Sequence, residues 1–143
     1  MYKEIEILKE NYDLIKNLLV YCKEILGYET HPNLVFLINN EVANNPIGKT
    51  AYYLPNEHKV CVYILNRHLN DVIKSITHEI IHYNQDLRGE FENSGPTTNG
   101  YAQKDQPLRK LEEEAYLKGN MIARDFKDKI VNGEIKIKKS KRS

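Results

Sequence analysis

A chain of 143 residues with 41% hydrophobic residues is long enough for one buried core, and its net charge of +1 gives no global attraction for nucleic acid or an anionic membrane. No apolar run approaches the roughly 20 residues needed to cross a bilayer. Met1-Tyr2-Lys3-Glu4 leads into an acidic amphipathic stretch rather than a signal peptide, and Cys22 and Cys61 are isolated, as in a reduced, cytoplasmic protein.

Residues 3 to 26 predict a long helix. Ile5, Leu8, Tyr12, Ile15, Leu19, Cys22 and Leu26 recur in steps of three and four, and Gly27 stands where a helix stops. Its expected work is to cover a sheet. Leu34 to Ile38 is a short, wholly apolar run that reads as a buried strand. An Asn-rich loop with Pro46 and Gly48 follows. Thr50-Ala51-Tyr52-Tyr53-Leu54 and Lys59-Val60-Cys61-Val62-Tyr63-Ile64 then flank Pro55-Asn56-Glu57-His58, which predicts a hairpin with a four-residue turn. His31, His58 and His68 fall in a loop, a turn and a pre-helix position, and are read as structural or exposed.

The sharpest signal is His78-Glu79-Ile80-Ile81-His82, an H-E-x-x-H pattern within a helical segment. Asn70 is a plausible N-cap, and Val72, Ile73, Ile76, Ile80, Tyr83 and Leu87 form one apolar face. His78 and His82 lie roughly opposite that face, one turn apart, where two imidazoles can reach one Zn²⁺, with Glu79 between the two faces. The alternative is two histidines facing water. Residues 88 to 106 form a long polar loop, of the kind that serves as a lid or binding loop, and Tyr101 on it is a candidate to hydrogen-bond a developing oxyanion.

A second helix is expected from Pro107 onward, with Asp105 in its cap region. Leu108, Leu111, Ala115, Gly119, Ile122, Ala123 and Phe126 make one apolar stripe, and Glu112 falls inside it, whereas Glu113 and Glu114 point away. A carboxylate on a core-facing stripe costs several kcal/mol unless it is paired or bound to a metal. Glu112 is therefore the candidate third ligand, the alternative being a pair with Arg109 or Lys110 at the rim. After Phe126 the chain turns Lys-rich. Residues 134–143 read as a basic tail that starts with a possible short strand and is able to contact nucleic acid weakly. Residues 1–133 read as one domain.

The stretches SITHEIIHYNQ and GYAQKDQPLRKLEEEAYLKGN, and more loosely GKTAYYLPNEHKVCVYI, resemble small HExxH zinc metallopeptidase-like proteins found in tailed-phage genomes and related bacterial elements. A sheet, an HExxH helix and a later helix carrying E-x-x-A also look like the minimal zincin core of ImmA/IrrE-type and SprT-like metalloproteases. The resemblance covers about half of the chain. It implies an α+β, zincin-like fold with His78, His82 and Glu112 as zinc ligands and Glu79 as general base. It also implies a host-cytoplasmic location if the gene is a phage's. The chain departs from metzincins at Gln85 and Arg88, where the HExxHxxGxxH pattern needs Gly and His, and Tyr116 stands where a thermolysin-like helix carries an acid.

The expected activity is zinc-dependent hydrolysis of peptide bonds by a metal-activated water, with Glu79 as base and a protein or peptide as substrate. Two other functions fit the same residues: a catalytically silent, zinc-stabilised binding protein, and a DNA-associated protein that uses its basic tail.

Overall fold

The computed structural model describes residues 10–38, 50–91 and 106–137. Within them lie α1 (Tyr12–Leu26), β1 (Asn33–Leu37), β2 (Ala51–Leu54), β3 (Lys59–Tyr63), α2 (Leu69–Leu87) and α3 (Gln106–Val131). The fold is α+β, with three helices on a small mixed sheet ordered β1-β3-β2. β3 pairs parallel with β1 and antiparallel with β2.

α1 ends as its sequence predicts. Gly27 adopts φ 81, a left-handed turn that L side chains resist, and its N–H closes on the Lys23 carbonyl. The buried face is not the predicted one throughout. Ile15, Leu18, Tyr21 and Cys22 are inside, whereas Tyr12, expected on the stripe, is 68% exposed. The predicted start of this helix, at residues 3–9, lies outside the described residues.

The apolar run at Leu34–Ile38 forms β1 but not a buried strand. It is an edge strand, and none of its residues is fully buried. The central strand is β3, whose Val60, Cys61, Val62 and Tyr63 are all buried because it has neighbours on both sides. The hairpin matches its turn chemistry. Pro55 opens a single 3₁₀ turn, Pro55–Glu57, and His58 closes it with φ 46.

Arg67 ties the sheet to α2. Its guanidinium donates to the carbonyls of Tyr63, Thr50 and Asp71 and to the Ser75 hydroxyl. α2 starts two residues earlier than expected, with His68 rather than Asn70 at the N-cap position. Val72, Ile73, Ile76, Ile80 and Tyr83 are buried as predicted, but Leu87, the last member of that face, is 45% exposed.

α3 packs chiefly along α2. Leu111, Ala115, Ile122, Ala123 and Phe126 are buried, and Phe126 meets Tyr21 of α1 at a centroid distance of 5.8 Å. Gly133, at φ 80, follows the end of α3. The alternating segment after it does not form a strand through residue 137; instead Ile135 folds back against the core. Among the described residues, no helix is long and apolar enough to cross a membrane.

Candidate metal centre

His78 and His82 project from the same side of α2, with ring centroids 5.0 Å apart. One turn of helix makes this spacing automatic; what the fold adds is their surroundings. Neither faces bulk water alone, because α3 crosses α2 beside them. Gly119 permits that crossing. A Cβ there would meet the His78 backbone N and Cα at 3.1 Å, so even alanine would ask the two helices to give by a few tenths of an ångström.

Glu112, two turns before Gly119 on α3, is thereby aimed at both imidazoles. Its Oε1 lies 2.6 Å from His82 Nε2 and its Oε2 3.6 Å from His78 Nε2. Glu79 completes the cluster. The donor atoms of His78, Glu79 and His82 all lie within 4.8 Å of one another, and this is the one such group of three among the described residues that could hold a metal ion. Glu79 is buried rather than poised between two faces, and so is His82. Glu112 is 41% exposed and His78 19%, so the cluster has a closed end at His82 and Glu79 and an open end at Glu112. Tyr116, one turn after Glu112, stands at the open end with its ring 4.5 Å from that of His78.

The electrostatics follow from this packing. Burial favours the neutral His82 ring, but the hydrogen bond to Glu112 and the charges of Glu79 and Glu112 outweigh it and hold the His82 pKa above its ordinary value. Burial likewise works against the Glu112 carboxylate, yet its hydrogen bonds to His78 and His82 hold its pKa well below the usual carboxylate range. Each partner prefers its charged form because the other is there.

The donor set could hold a metal ion. Imidazole nitrogens and carboxylate oxygens are ligands that zinc and other divalent metal ions take.

Behind His82 lies a network that reading the sequence missed. Gln85 Oε1 is 2.8 Å from His82 Nδ1, and Gln85 Nε2 donates to the Leu111 carbonyl at 2.9 Å and to Glu114 Oε1 at 3.0 Å. Glu114 also accepts from Arg88 at 2.8 Å and pairs with Lys118 at 3.2 Å. The expectation that Glu114 points away from the site is therefore corrected: Glu113 is exposed, but Glu114 turns back toward α2. The available signal was weak. Gln85 stands one turn after His82, and nothing in the sequence marks Glu114 as its partner.

Phe91, just beyond α2, packs 6.2 Å from His82 and 6.1 Å from Tyr53 of β2. Tyr53 in turn donates to Asp86 at 2.6 Å. The remaining histidines stay apart from the centre. His58 lies against Tyr83 and 3.8 Å from Asp86, His31 approaches the Tyr28 hydroxyl, and His68 begins α2. Tyr101 and the basic tail from residue 138 lie outside the described residues. A separate groove of about 620 Å³, lined by Leu14, Ile73, Leu117 and Met121 among others, includes none of the cluster. No family model, curated protein sequence or solved structure matches this chain.

Proposed function

We propose that the protein is a zinc-dependent metallopeptidase in which His78, His82 and Glu112 hold the metal and Glu79 is the general base. One observation carries the reading: a carboxylate from a second helix meets both imidazole Nε2 atoms of the H-E-x-x-H turn. Two water-facing histidines would have no need of it. A half-buried carboxylate is costly in that position unless it meets positive charge.

Zinc, when bound there, supplies a Lewis acid and a water of lowered pKa. The chain's own groups do the rest. Glu79, buried beside the ligands, takes the proton of the attacking water and returns it to the leaving amine. The carboxylate of Glu112 offsets part of the cationic charge and keeps the two imidazoles facing one point. The open flank at Glu112 and Tyr116 leaves room for a peptide to approach, while the closed end at His82 keeps bulk water off the base.

The test is zinc content and hydrolysis of a quenched fluorescent peptide library by wild type, Glu79→Gln, His82→Ala and Glu112→Ala. The expected result is one zinc per chain in wild type and Glu79→Gln, with little in the other two. Hydrolysis is expected to be fastest in wild type, slower in Glu79→Gln by roughly 10²- to 10⁴-fold, and absent from the two variants that lose zinc. A wild type that takes up no zinc when supplied with it, or a Glu79→Gln variant of full activity, would overturn the proposal. Zinc bound with no hydrolysis would turn the reading to a metal-stabilised binding protein.

A further inference from the structure

The hydrogen bonds around Gln85 leave little freedom in how they are assigned. Its side chain is fully buried, so each polar atom needs its partner from the protein. Two of its three neighbours, the Leu111 carbonyl and the Glu114 carboxylate, only accept. Glu114 is held in that role by the Arg88 guanidinium at 2.8 Å and the Lys118 ammonium at 3.2 Å, two cationic donors on the same carboxylate. The amide NH₂ must therefore face Leu111 and Glu114. A flipped amide would set its oxygen against two acceptors and its nitrogen against His82.

With the amide oriented, the third contact is decided as well. The Gln85 carbonyl oxygen can only accept, so His82 Nδ1, at 2.8 Å, must carry a hydrogen. Once the second proton of the ring is displaced by a metal, that leaves the lone pair on Nε2, the atom that faces Glu112. Both ends of the arrangement come from α3: Leu111 and Glu114 orient Gln85, and Glu112, between them in sequence, meets the other side of the same imidazole.

We propose that Gln85 is a positioning residue that locks His82 in the Nδ1–H tautomer and so presents Nε2 to the metal. Leu111 and Glu114 act through it by fixing the amide. The proposal rests on the zinc site described above for its purpose, but the hydrogen on Nδ1 does not depend on metal. Partners of metal-binding histidines commonly alter affinity by tenfold to a hundredfold when lost.

The experiment combines ¹H–¹⁵N NMR of the histidine rings with zinc affinity by chelator competition. In zinc-free wild type at alkaline pH, the His82 ring is expected to carry its proton on Nδ1; a proton on Nε2 overturns the proposal whether or not zinc binds. For Gln85→Leu, which keeps the volume and removes the acceptor, zinc affinity is expected to fall tenfold to a hundredfold. The paired exchange Gln85→Glu with Glu114→Gln restores an acceptor toward His82 and a hydrogen bond between the two positions, though it loses the donor to Leu111. It is expected to recover most of the affinity while remaining less stable to urea than wild type.

If affinity instead follows stability across the set, or if Gln85→Leu binds zinc as tightly as wild type, Gln85 is a packing residue and the proposal fails. Failure of the zinc reading looks different. Wild type then binds no zinc, and the ring tautomer still reports on Gln85 by itself.

Discussion

A carboxylate oxygen 2.6 Å from an imidazole nitrogen calls for positive charge between them, and in metal-free protein that charge is a proton on His82. The consequence for pH can be worked out by sign. The raised His82 pKa contributes stability that is fully present below the unfolded value of about 6.5 and is lost as pH rises through the folded value. The depressed Glu112 pKa contributes stability present above its reference value of 4.5 and lost as pH falls through its folded value. Both act together between those limits. The urea midpoint of metal-free wild type should therefore exceed that of Glu112→Gln most clearly between about pH 4.5 and 6.5, and the gap should shrink as pH rises beyond. A gap independent of pH would exclude the pairing. Its size is reduced by screening, since Glu112 is 41% exposed. The cysteines behave differently. Burial pushes the Cys22 thiol up to about 12, and Cys61 is 3% exposed, so neither should react with a thiol reagent until the protein unfolds. Labelling of either in native protein at neutral pH would contradict their core positions.

At the level of elements, the site depends on how closely α3 crosses α2. Helix propensity alone predicts that Gly119→Ala stabilises α3 by about 0.8–1 kcal/mol. Against this stands a Cβ 3.1 Å from backbone atoms of His78, where the obstacle is main chain rather than a side chain that can swing away. Overpacking of this kind costs about 1–3 kcal/mol. The expected net result is a loss of up to about 2 kcal/mol, read as a lower urea midpoint, together with weaker zinc binding because Glu112 moves back with its helix. A more stable variant with unchanged zinc affinity would show that the helices have slack at this crossing. The sheet makes a related point. β1 is the more continuously apolar strand in sequence, yet β3 is the buried one, because burial follows the number of strand neighbours as well as hydropathy.

For the whole molecule, the proposed metal joins two elements that are far apart in sequence. α2 contributes His78 and His82, and α3 contributes Glu112 from across the segment 92–105. A ligand held by both helices binds the folded chain and not the unfolded one. Zinc at a hundred times its dissociation constant should stabilise by about 2.7 kcal/mol. For a chain of this length that corresponds to a rise in Tm of roughly 5–10 °C, removed by a chelator and restored by zinc. No shift in wild type would count against metal binding, and an equal shift in Glu112→Ala would count against the third ligand.

Much of this was legible from local pattern, and the limits have a physical cause. Helix periodicity places His78 and His82 on one side of α2 and Glu112 on the inner stripe of α3, because 3.6 residues per turn is a local property of the chain. Gly27 and the Pro55 turn likewise end or reverse the chain through their own backbone preferences. Tertiary structure alone decided the rest. It made β1 an edge strand and left Tyr12 and Leu87 exposed, since a stripe says which face is apolar and not how far along the helix a partner extends. It also turned Glu114 inward to Gln85 and brought Gly119 against His78. Those contacts join residues tens of positions apart. Their geometry is set by the crossing of two helices, which no window along the chain contains.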